Sequence, residues 1–162
     1  MKKLKHILTL SLTLLLSACG FHFANDALSQ KVFKEVQLQT GDKYSDIAMA
    51  MKKELRSRGV TLVDQGKAPI LRLNGISTSD KVASVFKQGR EAESLLTLSV
   101  SASLQMPDNK RYPINVQVSR TFFDNSRAAL AKNAEQRAIW NDMYRQAAQQ
   151  IVIKMISVQQ QY

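Results

Sequence analysis

Residues 95–106, Leu95-Leu96-Thr97-Leu98-Ser99-Val100-Ser101-Ala102-Ser103-Leu104-Gln105-Met106, decide how this chain folds. Leu96, Leu98, Val100, Ala102, Leu104 and Met106 alternate with Thr97, Ser99, Ser101, Ser103 and Gln105, the period of two of a strand with one apolar face. Across the turn-forming run Pro107-Asp108-Asn109-Lys110, the alternation resumes with Ile114, Val116 and Val118 against Asn115, Gln117 and Ser119. Together these predict an antiparallel hairpin of two long strands. Its second face is unusual: Ser, Thr, Asn and Gln throughout, with no charge. A solvated sheet face generally gathers Lys and Glu, whereas a polar lining suits the lumen of a membrane barrel. Two readings stay open. The sheet sits inside another protein's polar interior, or its hydroxyls face plain water, as strand propensity alone permits.

Working outward from the hairpin, a first strand is expected over Phe33–Thr40, where Val36 and Leu38 alternate with Glu35, Gln37 and Gln39. Gly41-Asp42 breaks it. From Ser45 to Arg58 the spacing turns helical, with Ile47, Ala48, Met51 and Leu55 on one stripe. Ser45 is placed as an N-cap and Gly59 as the C′ glycine. Lys52, Lys53, Arg56 and Arg58 form a basic cluster that a solvated helix face explains. Val60–Val63 is a short extended piece. Ile70 to Phe86 reads as one strand or two, with a bulge or bend at Asn74-Gly75. A last helix is expected from about Lys132 to Val158, where Ile139, Met143, Ala147, Ile151 and Met155 recur every four residues. Trp140 and Tyr144 flank that stripe and read as core. The order predicts an α/β (α+β) two-layer sandwich, two helices packed on one face of a mixed, largely antiparallel four-stranded sheet.

The amino end carries a different message. Lys2, Lys3 and Lys5 precede the apolar run Ile7–Leu16, which is too short to span a bilayer but fits the core of a signal peptide. Leu16-Ser17-Ala18-Cys19 closes it and resembles a bacterial lipobox, in which the cysteine is acylated and becomes the first mature residue. Cys19 is the only cysteine, so it has no intrachain disulfide partner. The expected organisation is a signal peptide over 1–18, a lipidated tether over 19–32, one domain over 33–158 and a disordered end over 159–162. The group expected on Cys19 is covalent, an N-acyl chain with an S-diacylglycerol, and each buried methylene adds about 0.8 kcal/mol of membrane affinity. Gly20 stands where an Asp would signal retention at the inner membrane. The lipobox resemblance therefore implies a lipid anchor in the outer membrane, on the periplasmic side.

Removing 18 residues leaves 144, enough for one domain with a real core. Twenty of the 23 basic residues and all 13 acids lie there, a formal +7 before acylation. In the cytoplasm that surplus would suggest nucleic acid; in the periplasm the available polyanions are phosphorylated lipids, so no nucleic-acid partner is expected. Catalysis finds little support. His22, the one histidine of the mature chain, lies three residues from the anchor; there is no nucleophile elbow, phosphate-binding glycine loop or metal-ligand set. No enzyme activity, metal or diffusible cofactor is expected.

Several stretches resemble one family, the LPS-assembly lipoprotein LptE family, also called rare lipoprotein B. They are Cys19-Gly20-Phe21-His22, Ala83-Ser84-Val85-Phe86-Lys87-Gln88-Gly89, Tyr112-Pro113-Ile114, Arg120-Thr121-Phe122-Phe123-Asp124-Asn125 and Ala129-Leu130-Ala131-Lys132. Their order and spacing cover nearly the whole mature chain. The resemblance implies a plug inside the outer-membrane barrel LptD, direct binding of lipopolysaccharide on its way to the outer leaflet, and a part in assembling the barrel. On that basis Lys87, Arg90, Arg120 and Lys132 are the expected contacts to lipid phosphates. Residues 110–132 hold five basic residues against the single acid Asp124. Charges that keep the chain soluble, or that meet a barrel wall, would leave the same pattern.

Overall fold

The 95–119 pattern folds as read. A computed structural model of the chain describes residues 33–85, 91–123 and 129–161; the expected signal peptide and tether lie outside them. Strand β4 (Glu91–Gln105) pairs antiparallel with β5 (Arg111–Phe123), in unbroken register from Glu93↔Phe123 to Gln105↔Arg111. Pro107-Asp108-Asn109 makes the turn. The Met106 N–H donates to the Lys110 carbonyl at 2.8 Å, and Asn109 takes the left-handed conformation at φ 67°. Asn tolerates that backbone because its short side chain bonds locally, here accepting from Gln105 Nε2 at 3.0 Å.

Five strands form the sheet, one more than expected. Besides the hairpin there are β1 (Glu35–Gln39), β2 (Thr61–Leu62) and β3 (Ile70–Val85), in the order β2-β1-β3-β4-β5. The added strand is β2, whose two residues pair in parallel with Glu35 and Val36; so short a run carries no readable alternation. Residues 70–85 form one strand, paired antiparallel with β4 along its length. Its register slips between Leu73 and Gly75, where a bulge was expected, and again between Val82 and Val85. Strand β1 pairs in parallel with β3 only over Ile70–Arg72.

Helix α1 (Asp46–Ser57) buries Ile47, Ala48, Met51 and Leu55, the stripe the spacing marks. Ser45 occupies the N-cap position with extended backbone, but its hydroxyl donates to the Asp42 carbonyl instead of capping the helix. The carboxyl end closes on Gly59 at φ 76°. The Gly59 N–H reaches the Arg56 carbonyl at 3.0 Å and the Val60 N–H reaches the Leu55 carbonyl at 3.0 Å. That is a Schellman closure, sealed by the buried side chains of Leu55 and Val60.

Helix α2 runs Ala129–Gln161, three residues longer at each end than expected. The end expected to be disordered over 159–162 is therefore helical as far as Gln161. Met143, Ala147, Ala148, Ile151, Val152, Met155 and Ile156 are buried, and Trp140 and Tyr144 pack against the same core. One apolar cluster joins both helices to Leu71, Leu96, Leu98, Val100, Leu104, Ile114, Val116 and Val118 of the sheet. Both helices thus cover one face of a mixed sheet, and no described element covers the other.

Candidate interaction surface

Strand pairing decides which residues share the open face. Ser77 pairs with Ser99 and Ser79 with Thr97 on one side of β4; Ser99 pairs with Gln117, Ser101 with Asn115 and Thr97 with Ser119 on the other. These residues all point away from the helices, because Leu96, Leu98 and Val100 between them are buried against α2. Thr97 and Ser119 hydroxyls lie 3.2 Å apart, and Asn74 and Ser103 side chains bond across β3 and β4. A shallow trough runs over Gly75, Ser77, Ser99, Ser101, Asn115 and Gln117. Among the described residues, charged side chains enter this face toward its margins, at Glu35, Arg72, Lys81, Glu93 and Arg111.

The far end of the face carries two exposed apolar side chains beside Lys81 and Glu93. Leu95 is 39% exposed and Phe123 is 64% exposed, and both project on the open side, diagonal to each other across the Glu93–Phe123 and Leu95–Thr121 pairs. The alternation listed from Leu96 assigns Leu95 to neither face, and this pair goes unnoticed in it. Counting parity from Leu96 could have found it, since Leu95 and Phe123 then fall with the serines.

Of the expected site residues, Cys19, Lys87 and Arg90 lie outside the described residues. Arg120 lies on the helix side of β5, opposite Leu96. Its Nη2 donates to Gln146 Oε1 at 2.8 Å and lies 3.7 Å from Asp142 Oδ2, so α2 already engages it. Asp142 is also the partner of Arg145. Lys132 is partly buried near the start of α2. Ten residues separate it from Asp142, about 15 Å along the helix axis, so the two basic residues do not converge. The basic cluster on α1 is dispersed in the same way: Arg58 pairs with Glu54 at 2.6 Å, while Lys52 bonds the Lys43 carbonyl and lies over the Tyr44 ring.

Among the described residues, two groups titrate away from their ordinary values. Burial, with the Asp46 charge, pushes the Tyr144 phenol up. At the hairpin tip, desolvation raises Asp108, but the hydrogen bonds and charge of Lys110 outweigh it and hold the carboxyl below its usual range. Neither builds a proton-transfer site. Among the described residues no group of three or more His, Cys, Asp or Glu is placed to hold a metal, and no helix is long and apolar enough to cross a membrane.

A family model described as LptE, lipopolysaccharide-assembly, matches residues 33–155. The chain is 38% identical over 154 residues to the LPS-assembly lipoprotein LptE of Photorhabdus laumondii, spanning 93% of this chain and 85% of that relative. It is 37% identical over 155 residues to the protein of the same name from Yersinia pestis, spanning 93% of this chain and 75% of that relative. Among solved structures, the rare lipoprotein B of Shewanella oneidensis superposes with a TM-score of 0.71 at 29% identity, covering 76% of this chain and 95% of that one. A minor lipoprotein from Acinetobacter baumannii shares the fold alone, with a TM-score of 0.65 at 20% identity, over 78% of this chain and 92% of that one. With a sheet and helix layer of the same architecture and a family match running from Phe33 into the last turns of α2, this chain belongs to the LptE family.

Proposed function

We propose that this chain is a non-catalytic lipoprotein of the outer membrane, anchored by the acylated Cys19 on the periplasmic side. There it sits as a plug inside the LptD barrel, helps that barrel assemble, and binds lipopolysaccharide during delivery to the outer leaflet. The observation that carries this reading is the open sheet face. Ser77, Ser79, Thr97, Ser99, Ser101, Asn115, Gln117 and Ser119 form a hydroxyl- and amide-lined surface without a charge. Such a face matches the polar interior of a large barrel, where an unpaired charge would be costly to desolvate. The relatives' name, LPS-assembly lipoprotein, agrees with it.

Extraction of outer membranes in mild detergent tests the plug. The chain should leave the membrane in a stable complex with a large barrel, and extraction as a free lipoprotein would overturn the reading. Mass spectrometry of the same material should find lipid on Cys19; an unmodified thiol there would remove the anchor.

Lipopolysaccharide contact is assigned to Lys87, Arg90 and Lys132, with Arg120 as a further contact. Charge-assisted bonds to phosphate contribute roughly 1.5–3 kcal/mol each. Reversing Lys87 and Lys132 together to Glu should weaken binding of purified lipopolysaccharide and leave the barrel complex intact. A second reading is a structural or chaperone-like lipoprotein that binds a membrane partner and no lipopolysaccharide. The engagement of Arg120 by Gln146 and Asp142 favours it, because that guanidinium already serves the fold. Unchanged lipopolysaccharide binding in the double variant would remove this site assignment, and an absence of binding by the wild-type chain would decide for the second reading.

A further inference from the structure

Strand β5 ends the sheet, and its outer side has no neighbouring strand among the described residues. Which backbone groups face that side follows from the hairpin. Met106 bonds Lys110 across the turn, so the even-numbered residues of β5 bond back to β4 and the odd-numbered ones point outward. Two independent facts agree. Pro113, which has no N–H, falls at an outward position, and the outward Asn115 carbonyl accepts from Lys154 Nζ of α2 at 2.5 Å. The register with β4 is unbroken to Phe123, so the N–H and C=O groups of Gln117, Ser119 and Thr121 also point outward.

The two halves of this edge are managed differently. Proline and a lysine over a carbonyl are devices that keep an exposed edge from recruiting another chain. They guard Pro113 and Asn115. The free edge of β3 beyond Arg72 is likewise interrupted, by its register slips and by Asp80 and Lys81. Gln117, Ser119 and Thr121 have no such guard: their side chains are uncharged, and the strand is regular for about 14 Å between the first and last of them. An edge left bare among the described residues, in a sheet whose β3 edge is interrupted, is placed to be paired.

Charge selects the occupant. Arg120, Arg145 and Lys154 gather where α2 meets β5, and the two guanidiniums share the single carboxylate of Asp142. A second copy would set +7 against +7. We propose that the outer edge of β5 over Gln117–Thr121 receives an acidic extended strand of a partner protein, which continues the sheet by one strand. This rests on the reading of the chain as a subunit of a membrane assembly, and the two fail separately.

The test uses the full lipidated chain in outer membranes. Ser119→Pro deletes one outward N–H and leaves the β4 ladder its bonds, while Ser119→Ala removes only the hydroxyl. Ser119→Pro should lower the amount of partner extracted with the chain about tenfold below Ser119→Ala, the effect of one unsatisfied backbone group, with Ser119→Ala reading out whatever the hydroxyl itself adds in the polar face. Amide exchange serves as the second measurement, since it needs no variant. The Gln117, Ser119 and Thr121 amides should exchange rapidly in the free chain and become protected in the extracted complex. A Ser119→Pro chain that assembles like wild type, or amides equally fast in both states, overturns the edge and leaves the plug reading standing. Protection that appears with a concentration-dependent dimer would assign the edge to a second copy and overturn the acidic partner. Absence of any wild-type complex removes both.

Discussion

The Arg120 guanidinium donates to Gln146 Oε1 at 2.8 Å, across the line where α2 lies on β5. With Lys154 on the Asn115 carbonyl, it ties the helix to the edge strand at two points. The Arg120 side chain is 46% exposed, so solvent screening keeps its contribution small. Arg120→Ala should cost no more than about 1 kcal/mol in urea unfolding. A loss of several kcal/mol would mean that α2 depends on this bond more than its geometry implies.

The two faces of β4 should answer differently to the same kind of truncation. Leu98 is fully buried between the sheet and the helices. Leu98→Ala should destabilise by about 2–5 kcal/mol through lost burial and the cavity left behind. Ser99→Ala, one residue on and facing the trough, should stay within about 0.5 kcal/mol. Chemical denaturation of the two variants side by side checks the assignment of faces.

Gly59 closes α1 at φ 76°, and a β-carbon there would touch nothing within 4 Å. The cost of Gly59→Ala is therefore that of the left-handed backbone, about 1–2 kcal/mol. Equilibrium unfolding should show that loss without a change in m-value, because no packing is disturbed.

Asp108 gives the hairpin tip a pH dependence. Its folded-state pKa is lowered, so its contribution is present above the ordinary aspartate value and is lost as pH falls through the folded value. Wild type should lose melting temperature in acid faster than Asp108→Asn, which carries no charge to neutralise. Parallel acid-side slopes for the two proteins would remove the Lys110 pairing as the cause.

What the sequence made legible follows from where each signal is stored. Alternation over 95–119 and the four-residue recurrence after Ile139 are local, and both elements form as read. The Gly59 stop and the Asn74-Gly75 bulge are local too. Strand β2 was missed as a strand because Thr61 and Leu62 owe their state to pairing with β1. The continuity of β3 through its slips likewise depends on β4. For the interaction surface, the uncharged face was readable from parity, whereas the engagement of Arg120 was not. Its partner Gln146 is 26 positions away on another element, and no spacing rule connects them.

The placement of β1 also bears on how the molecule is made. Its residues pair on one side with Thr61 and Leu62 and on the other with Ile70–Arg72, all synthesised later. A chain made amino end first therefore delivers this strand well before anything can flank it. The β4–β5 hairpin, whose partners are close in sequence, is suited to form early, and docking of β1 must bridge more distant chain. Until that step is complete, Val36 and Leu38 remain uncovered, and the interval before closure is when this protein is most open to being held by a chaperone or lost to a protease.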